Sequence, residues 1–510
     1  MPTYLSPGVY VEEVSSGSKP IEGVGTAVAA FVGFAERGPV NEPTLVTNWT
    51  QFTQNFGEFI EGSYLAHSVY GYFQNGGGSA YVVRVGANGD GAKPHTASAH
   101  LASSDDGAKP AYAVRALESG STGDTLRVEI ADASEPADEN FKLVVKRGDK
   151  VEETFDNVSA KKGPQNVVTK VKAESKLIQL EELLKGAAIA APQKGQVELS
   201  GGNAPVRIEI SADDYAGSAA DRTGFAGLEA VDEVTMLCVP DAMAAYQQGA
   251  LDEEGLKAVH LAMISHCEQM GDRVAILDAP PGMNAQKVKT WRVDTAGYDS
   301  KYATVYWPWI KVMDPLAGRA NFIPPSGHVA GIWARNDDTR GVHKAPANEV
   351  IRGAISLELQ ITKGEHDQLN PVAVNCIRSF PGQGIRIWGA RTLSSDPEWR
   401  YINVRRLFNF IEESILQGTN WVVFEPNDPK LWDSVKRTVT MFLRRVWRDG
   451  ALFGQTPAEA FYVKCDEENN PPENRDAGIL TVEIGVSPVK PAEFVVFRIS
   501  QFSGGAGLEE

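Results

Sequence analysis

Thr26–Phe34 reads TAVAAFVGF, nine residues without a charge and apolar at positions that would fall on both faces of a strand. A strand with one wet face alternates, so an unbroken run of this length fits a strand covered on both sides. Three further runs share the character: Tyr81–Val85 (YVVRV), Val234–Val239 (VTMLCV) and Val274–Leu277 (VAIL). A helical stretch, Glu253–Met270, lies between the last two. Strands buried on both faces and separated by helices predict an α/β body, a sheet with helices laid over it.

The chain has 510 residues, a soft expectation of roughly three domains at ~150 residues each. Ten Trp, 20 Phe and 14 Tyr supply cores, which excludes disorder as the main theme. No stretch approaches the ~18 uninterrupted apolar residues of a membrane span. The opening MPTYLSPGVYVEEV lacks the basic and apolar regions of a secretory signal. Cys238, Cys267, Cys376 and Cys465 lie far apart with no CxxC pair, so they read as reduced thiols in a cytosolic protein. The net charge of −17 argues against general nucleic-acid binding.

Gly86 to Gly227 is a different kind of sequence, rich in Ala, Gly, Ser, Lys and Glu, with joints such as GANGDGAKPH. Thr125–Ile130 (TLRVEI), Phe141–Lys146 (FKLVVK) and Val206–Ile210 (VRIEI) alternate as strands with one wet face. The stretch reads as an inserted, β-rich, surface-exposed module.

In the last third, Tyr401–Leu416 sets Val404, Leu407, Phe408, Ile411 and Ile415 on one helical stripe that ends at Gly418. Leu431–Trp447 is a second helix, opened by Pro429 and closed by Gly450, with Val435, Val439, Phe442, Val446 and Trp447 as its apolar face. At ~100° per residue, Lys430, Arg437, Arg444 and Arg448 align on the opposite side. Solvated faces usually mix charge signs, so four cations in line are a candidate contact surface. A solvated basic face or an intersubunit ion-pair network is the other reading.

Both termini carry tethered strands. VYVEEV (Val9–Val14) follows Pro-Gly and precedes a Ser/Gly/Lys/Pro linker, and EFVVFRIS (Glu493–Ser500) follows Pro488 and Pro491. An apolar strand without a hairpin partner is an aggregation hazard unless something pairs with it. Closure within the subunit would satisfy either strand. Two such strands, one at each end, favour donation to neighbouring subunits.

Enzyme templates fail. No GxxxxGK[ST] or HExxH occurs, GVGTAV (Gly23–Val28) lacks the third glycine of a dinucleotide fingerprint, and His260 and His266 fall off a common helical face. Asp278 in ILDAPPG ends a buried strand, where α/β enzymes place functional carboxylates, but a carboxylate without a partner there is more often a turn or cap residue, and Ser326 and His328 in PPSGHVAG are adjacent to each other without triad logic. Rigid aromatic and arginine-bearing segments are richer: SKYATVYWPWIKVMDP, IPPSGHVAGIWARND, NCIRSFPGQGIRIWGARTL, WRYINVRRLF and WVVFEPND. Such residue types populate packed interfaces. Core packing is the alternative for Trp307, Trp309 and Trp388.

With these motifs the sequence resembles the contractile tail sheath family of myophage tails and phage-tail-like contractile injection systems. PGVYVEEV, VAAFVGFAERGP, LVTNWTQFTQNFG and YFQNGG look like the family's N-terminal part. SKYATVYWPWI, PPSGHVAGIWARND, GVHKAPAN, LNPVAVNCIRSFPGQGIRIWGARTL, WRYINVRRL, FEPND and PVKPAEFVVFRI look like its body and C-terminal domain. The resemblance runs from end to end and is weakest across the insertion, Gly86–Gly227, onto which nothing specific transfers.

The resemblance implies a non-enzymatic structural subunit, assembled in a bacterial cytoplasm into a phage virion or an injection particle, with no cofactor. Its partners would be copies of itself in stacked sixfold rings, an inner tube protein, a baseplate and a tail-terminator or cap, with neither nucleic acid nor membrane insertion involved. Contraction would be a collective subunit movement that drives the tube through an envelope without nucleotide hydrolysis. Val9, Tyr10, Val11 and Val14, with Phe494, Val495, Val496, Phe497 and Ile499, would be donated strands. Thr481, Val482 and Ile484 would receive them, and the tethers Ser15–Pro20 and Pro488–Pro491 would swing. Lys430, Arg437, Arg444 and Arg448 would face the tube.

The expected fold class is α/β (α+β) and multidomain, a mixed-sheet core with covering helices, a β-rich inserted surface domain and extended terminal strands for intersubunit β-augmentation. The expected divisions are a linking arm 1–22, a discontinuous core 23–86 and 228–375, the insertion 87–227, a tube-facing domain 376–492 and a linking strand and tail 493–510. An α/β hydrolase-like enzyme with its site near Asp278, Ser326 and His328 is the alternative.

Overall fold

The computed structural model describes residues 20–86, 96–104, 109–117, 121–135, 137, 140–148, 150–183, 191–202, 210–314 and 318–498. The four expected strand runs become β1 (Val28–Gly33), β3 (Ser79–Arg84), β4 (Met236–Cys238) and β5 (Val274–Asp278), and two strands not anticipated, β2 (Thr44–Val46) and β6 (Ala303–Trp307), join them. Three more follow, β7 (Glu349–Val350), β8 (Val374–Phe380) and β9 (Gly384–Ile387). They form one nine-stranded sheet in the order β7-β9-β8-β6-β5-β4-β1-β3-β2. From β8 through β3 the strands are parallel, and antiparallel strands close both edges.

Alternation assigns each side chain of these strands to one of two cores. Ala30, Val32, Leu237, Leu277, Val305 and Trp307 face one layer, and Ala29, Phe31, Cys238, Ile276 and Tyr306 face the other. Helix α1 (Leu65–Gln74) covers the second face, and α2 (Glu253–Met270) covers the first with Leu256, Val259, Met263 and Cys267. Asp252 caps α2 by accepting a hydrogen bond from the Gly255 N–H at 2.8 Å, and Gly271 ends it at φ +74°. Helix α3 (Ser326–Arg340) joins α1 on the second face. The two helices approach so closely that a Cβ on Gly327 would lie 2.5 Å from the Ser68 Cα. Trp307 and Trp309 are core, whereas Trp388 is exposed.

The inserted module has its own core, including Tyr112, Val128, Leu143, Phe155 and Val171. Two antiparallel sheets build it, one from Ser98–Ala102, Pro110–Ala116 and Ile178–Glu182. The other contains Gly195–Glu198, Leu126–Asp132, Asn140–Arg147 and Lys150–Ser159. Cross-strand pairs such as Lys142–Asp156 and Arg127–Glu198, each 3.0 Å, occupy its wet faces. Of the expected run Val206–Ile210, all but Ile210 lies outside the described residues. Ile210, Tyr215 and Phe225 are buried in the main body, and the Tyr215 hydroxyl donates to the Asp241 carbonyl at 2.8 Å. The main body therefore resumes at Ile210 rather than at 228, because two aromatics anchor a segment whose composition otherwise reads as linker. It also continues beyond 375, since β8 and β9 belong to the central sheet.

Helices α4 (Ile402–Gly418) and α5 (Pro429–Arg448) and a two-stranded sheet, β10 (Phe461–Lys464) with β11 (Glu483–Val486), share a further core. Helix α4 buries more than the expected stripe. Arg405, Arg406, Asn409 and Ser414 are buried as well, while Phe408 is half-buried. It is sandwiched between the main body and the C-terminal unit. Gly23–Val28 crosses this helix rather than hanging free: Ile21 enters the C-terminal core, and a Cβ on Gly23 would meet the Phe410 ring at 2.8 Å.

Candidate assembly interface

The C-terminal segment returns to the body before it leaves. The Phe453 N–H donates to the Ser487 carbonyl at 2.7 Å, the Val489 N–H to the Ala451 carbonyl at 3.2 Å, and Asn403 Nδ2 to the Val489 carbonyl at 3.1 Å. Pro488–Pro491 is therefore a pinned stretch, not the swinging tether expected from its prolines. Glu493 fixes its end through Arg391, with Nη2 to carboxylate oxygen at 2.7 Å. Burial raises the Glu493 pKa, but hydrogen bonds from Arg391, Asn370 and Tyr401 and the Arg391 charge outweigh it and hold the carboxyl below its ordinary value.

The described residues beyond that anchor are bare. Phe494, Val495, Val496 and Phe497 are 74%, 67%, 77% and 83% exposed, and none belongs to a strand. Four consecutive apolar residues in water form a surface that another chain can cover. Val9, Tyr10, Val11, Val14 and Ile499 lie outside the described residues.

A pairing edge exists on the same C-terminal unit. Strands β10 and β11 pair from Phe461↔Val486 to Lys464↔Glu483, and among the described residues no third strand joins them. Val463, Ile484 and Val486 pack onto the core beneath, which supports a sheet too small to stand alone. The strand is shorter than expected. Thr481 precedes it, and its N–H and carbonyl are both engaged by the Asn470 side chain at 2.7 and 2.9 Å. The open edge is thus centred on Glu483–Val486, with Ile484 within it and Val482 just before it.

Helix α5 presents the cationic stripe as its spacing requires. Asp428 caps it by accepting from the Leu431 N–H at 2.9 Å, and Leu431, Val435, Val439, Phe442 and Val446 are buried. Lys430, Arg437, Arg444 and Arg448 are all exposed, and among the described residues none is ion-paired within the subunit. Met441, 44% exposed, sits among them.

Asp278 and Ser326 do meet, but as a cap. The buried Asp278 carboxylate accepts the Ser326 N–H at 2.9 Å at the start of α3. Burial pushes its pKa up to about 7, against the opposing bonds from Ser326. His328 lies two residues on, roughly 200° around the helix, with its ring against Gly71. Burial, reinforced by His67, lowers its pKa to about 3. No triad forms, and all three residues are closed off from solvent. His260 and His266 are likewise core residues, bonded to Tyr298 at 3.1 Å and Arg273 at 3.3 Å. No cluster among the described residues could hold a metal ion, and no described helix is long and apolar enough to cross a membrane.

Residues 210–393 match the phage tail sheath protein central domain, and residues 394–502 match the phage tail sheath C-terminal domain. Together these take in more than half of the 510 residues. The chain belongs to the phage tail sheath family. It is 24% identical over 524 residues to the tail sheath protein of Burkholderia phage BcepMu, covering 96% of this chain and 95% of that protein. It is 26% identical over 250 residues to the tail sheath protein of Vibrio phage KVP40, covering 46% of this chain and only 36% of that longer relative. In fold it is similar to the helical sheath of the anti-feeding prophage in its contracted state, with TM-score 0.60, 23% identity and coverage of 98% and 100%.

A tail sheath protein is structural, and the hydrolase-like alternative has no support: its three residues are a helix cap and a packed ring. Sequence reading of this sheath chain missed two polar joints, Arg391–Glu493 and Arg406–Asp337. Their signal was present in GARTL, WRYINVRR and PAEF, where a charge interrupts an otherwise apolar or aromatic segment. Pairing such charges requires the tertiary fold.

Proposed function

We propose that the chain works as one subunit of a contractile sheath, stacking in sixfold rings around an inner tube and linked to its neighbours by exchanged terminal strands. The observation that carries this reading is that one subunit holds both the exposed apolar segment Phe494–Phe497 and a β10–β11 edge that no third strand joins among the described residues. A subunit displaying both a bare strand and a bare edge is self-complementary between copies, and such head-to-tail contacts generate helical assemblies. The N-terminal arm, with Val9, Tyr10, Val11 and Val14, is the second donor. The α5 stripe faces the tube, and the sheath seats on a baseplate and ends at a cap. The division into arm, core, insertion, tube-facing domain and linking tail follows the same logic, with the links cut back from 1–22 and 493–510 to the residues before Pro20 and after Glu493, since the body holds Ile21 and Glu493. Contraction is a collective movement of rigid bodies joined by these strands and uses no nucleotide. Assembly takes place in the bacterial cytoplasm.

Negative-stain electron microscopy of the chain, alone and co-expressed with its neighbouring genes, tests the reading. Hollow helical tubes are expected, and are expected to be lost when residues 1–20 or 494–510 are deleted. Small uniform particles from the intact chain under both conditions would overturn it.

A further inference from the structure

Glu493 is the last residue of the C-terminal segment that the body holds, and it is held from three directions. Its carboxylate accepts Arg391 Nε at 2.8 Å and Nη2 at 2.7 Å, Asn370 Nδ2 at 2.8 Å and the Tyr401 hydroxyl at 3.0 Å. The paired Arg391 bonds are the bidentate arrangement that fixes orientation as well as charge. Behind them, the Arg391 N–H donates to Asn375 Oδ1 at 2.8 Å. Asn375, fully buried in β8, donates to the Thr304 hydroxyl at 2.7 Å and the Val305 carbonyl at 3.2 Å in β6. The carboxylate is thus connected through two side chains to two adjacent strands of the central sheet. One residue further on, Phe494 to Arg498 are all exposed.

We infer that Glu493 is the fixed root of the exchanged C-terminal strand, a positioning residue that sets where the strand leaves the body for a second copy of this chain. The inference rests on the strand-donation reading above. A linking strand transmits force and finds its partner only within the reach of its free chain, and excess slack lowers its effective concentration at the partner edge. Rooting the strand at Glu493 rather than at Val489, the last backbone that the body otherwise holds, removes four residues of slack, about 14 Å of extended reach. The hinge then falls at the Glu493–Phe494 junction. A neighbour pulling on Phe494–Phe497 pulls, through Glu493, Arg391 and Asn375, on the central sheet itself, so body and strand move as one during a rearrangement of subunits.

Two full-chain variants and one truncation, co-expressed with the neighbouring genes, test this. Each is read by counting sheaths in electron micrographs and by amide hydrogen exchange of Val489–Glu493 in the unassembled subunit. E493Q keeps the side-chain shape but loses the charge, and is expected to speed exchange at these amides and to cut sheath number, each roughly tenfold, with the subunit's thermal unfolding unchanged. Should E493Q fail to fold, the N370A/Y401F pair, which keeps the ion pair and loses the other two donors, is expected to move both readouts in the same direction. Deletion of 494–510 separates the two levels of the argument. If the deletion assembles like wild type, strand donation is overturned. If the deletion abolishes assembly while E493Q, or the pair standing in for it, retains wild-type exchange and sheath number, the root inference alone is overturned.

Discussion

Arg406 and Asp337 form a buried, doubly bonded ion pair between α4 and α3, with Nη1–Oδ1 at 2.9 Å and Nη2–Oδ2 at 2.6 Å. Their side chains are 3% and 4% exposed. The Thr26 hydroxyl donates to the same carboxylate at 2.6 Å, and Arg406 Nη2 also donates to the Thr26 carbonyl at 2.9 Å. The Trp333 ring lies 4.8 Å from the guanidinium carbon. One pair thereby joins the segment entering β1, a helix of the main body and the first helix of the C-terminal unit. The pair adds a buried polar joint between units whose apolar residues fall mainly in separate cores.

Arg406→Ala should therefore loosen the C-terminal unit from the body. Leaving one buried charge without its partner costs roughly 3–5 kcal/mol, much more than an exposed pair would. The expected result of limited proteolysis is new cleavage near 394–402, with the two units surviving as fragments. A full-length chain as resistant as wild type would show that the joint carries no such load.

Acid should destabilise the main body, and Asp278 should moderate the effect. Burial lowers His260 and His328 to about 3 and His266 to about 4, so between pH ~4.5 and 6 the unfolded chain binds protons that the fold does not. Stability present above the ordinary histidine value is lost as pH falls through that window. Asp278 and Asp241, raised by burial to about 7 and 6, do the reverse: the fold keeps protons that the unfolded chain has released, so stability falls as pH rises. The histidines outnumber them. Asp278→Asn removes one opposing proton and should steepen the loss on acidification by about 1.4 kcal/mol per pH unit. Tryptophan fluorescence during urea unfolding at pH 5 and pH 6 measures it, and an unchanged or shallower slope would contradict the assignment.

The proposed tube role of the α5 stripe can be tested apart from self-assembly. Reversing Arg437 and Arg444 to Glu alters two exposed positions and should leave thermal unfolding within about 0.5 kcal/mol of wild type. Sheath formed by the chain alone should persist, while co-assembly around the tube should be lost. Wild-type co-assembly should itself weaken with salt, since exposed charges are screened beyond ~8 Å at physiological ionic strength. Intact co-assembly of the double reversal would remove the tube role.

The central strands and long helices were legible because their signals are local. TAVAAFVGF and VAIL are apolar on both faces, Glu253–Met270 runs from one cap to another, and the α5 cations repeat at helical spacing. Joints formed by distant residues were not legible. Nothing near PAEF says that Glu493 closes on Arg391, and two prolines there suggested slack where Ala451 and Asn403 hold the backbone. The insertion's end was misplaced for the same reason. Tyr215 and Phe225 belong to the main core only because α2 and the Asp241 carbonyl come back to meet them.

The inserted module should be dispensable for both stability and assembly. Its core shares no residue with the cores around the central sheet, while Val85 and Ile210, which flank it, are buried together in one of those cores. The chain thus leaves and re-enters the body on the same face of the central sheet, and a flexible connection can replace what lies between. Loop closure depends only weakly on length, about 0.6 kcal/mol per doubling, so a Gly/Ser linker of about eight residues in place of 88–208 should not strain the body. The expected outcome is a soluble chain whose remaining unfolding transition matches that of the intact protein, and which still forms tubes of normal pitch and smaller outer diameter. Loss of tubes from such a folded chain would mean that the module, with its outward ion pairs, takes part in contacts between subunits instead of decorating the outside.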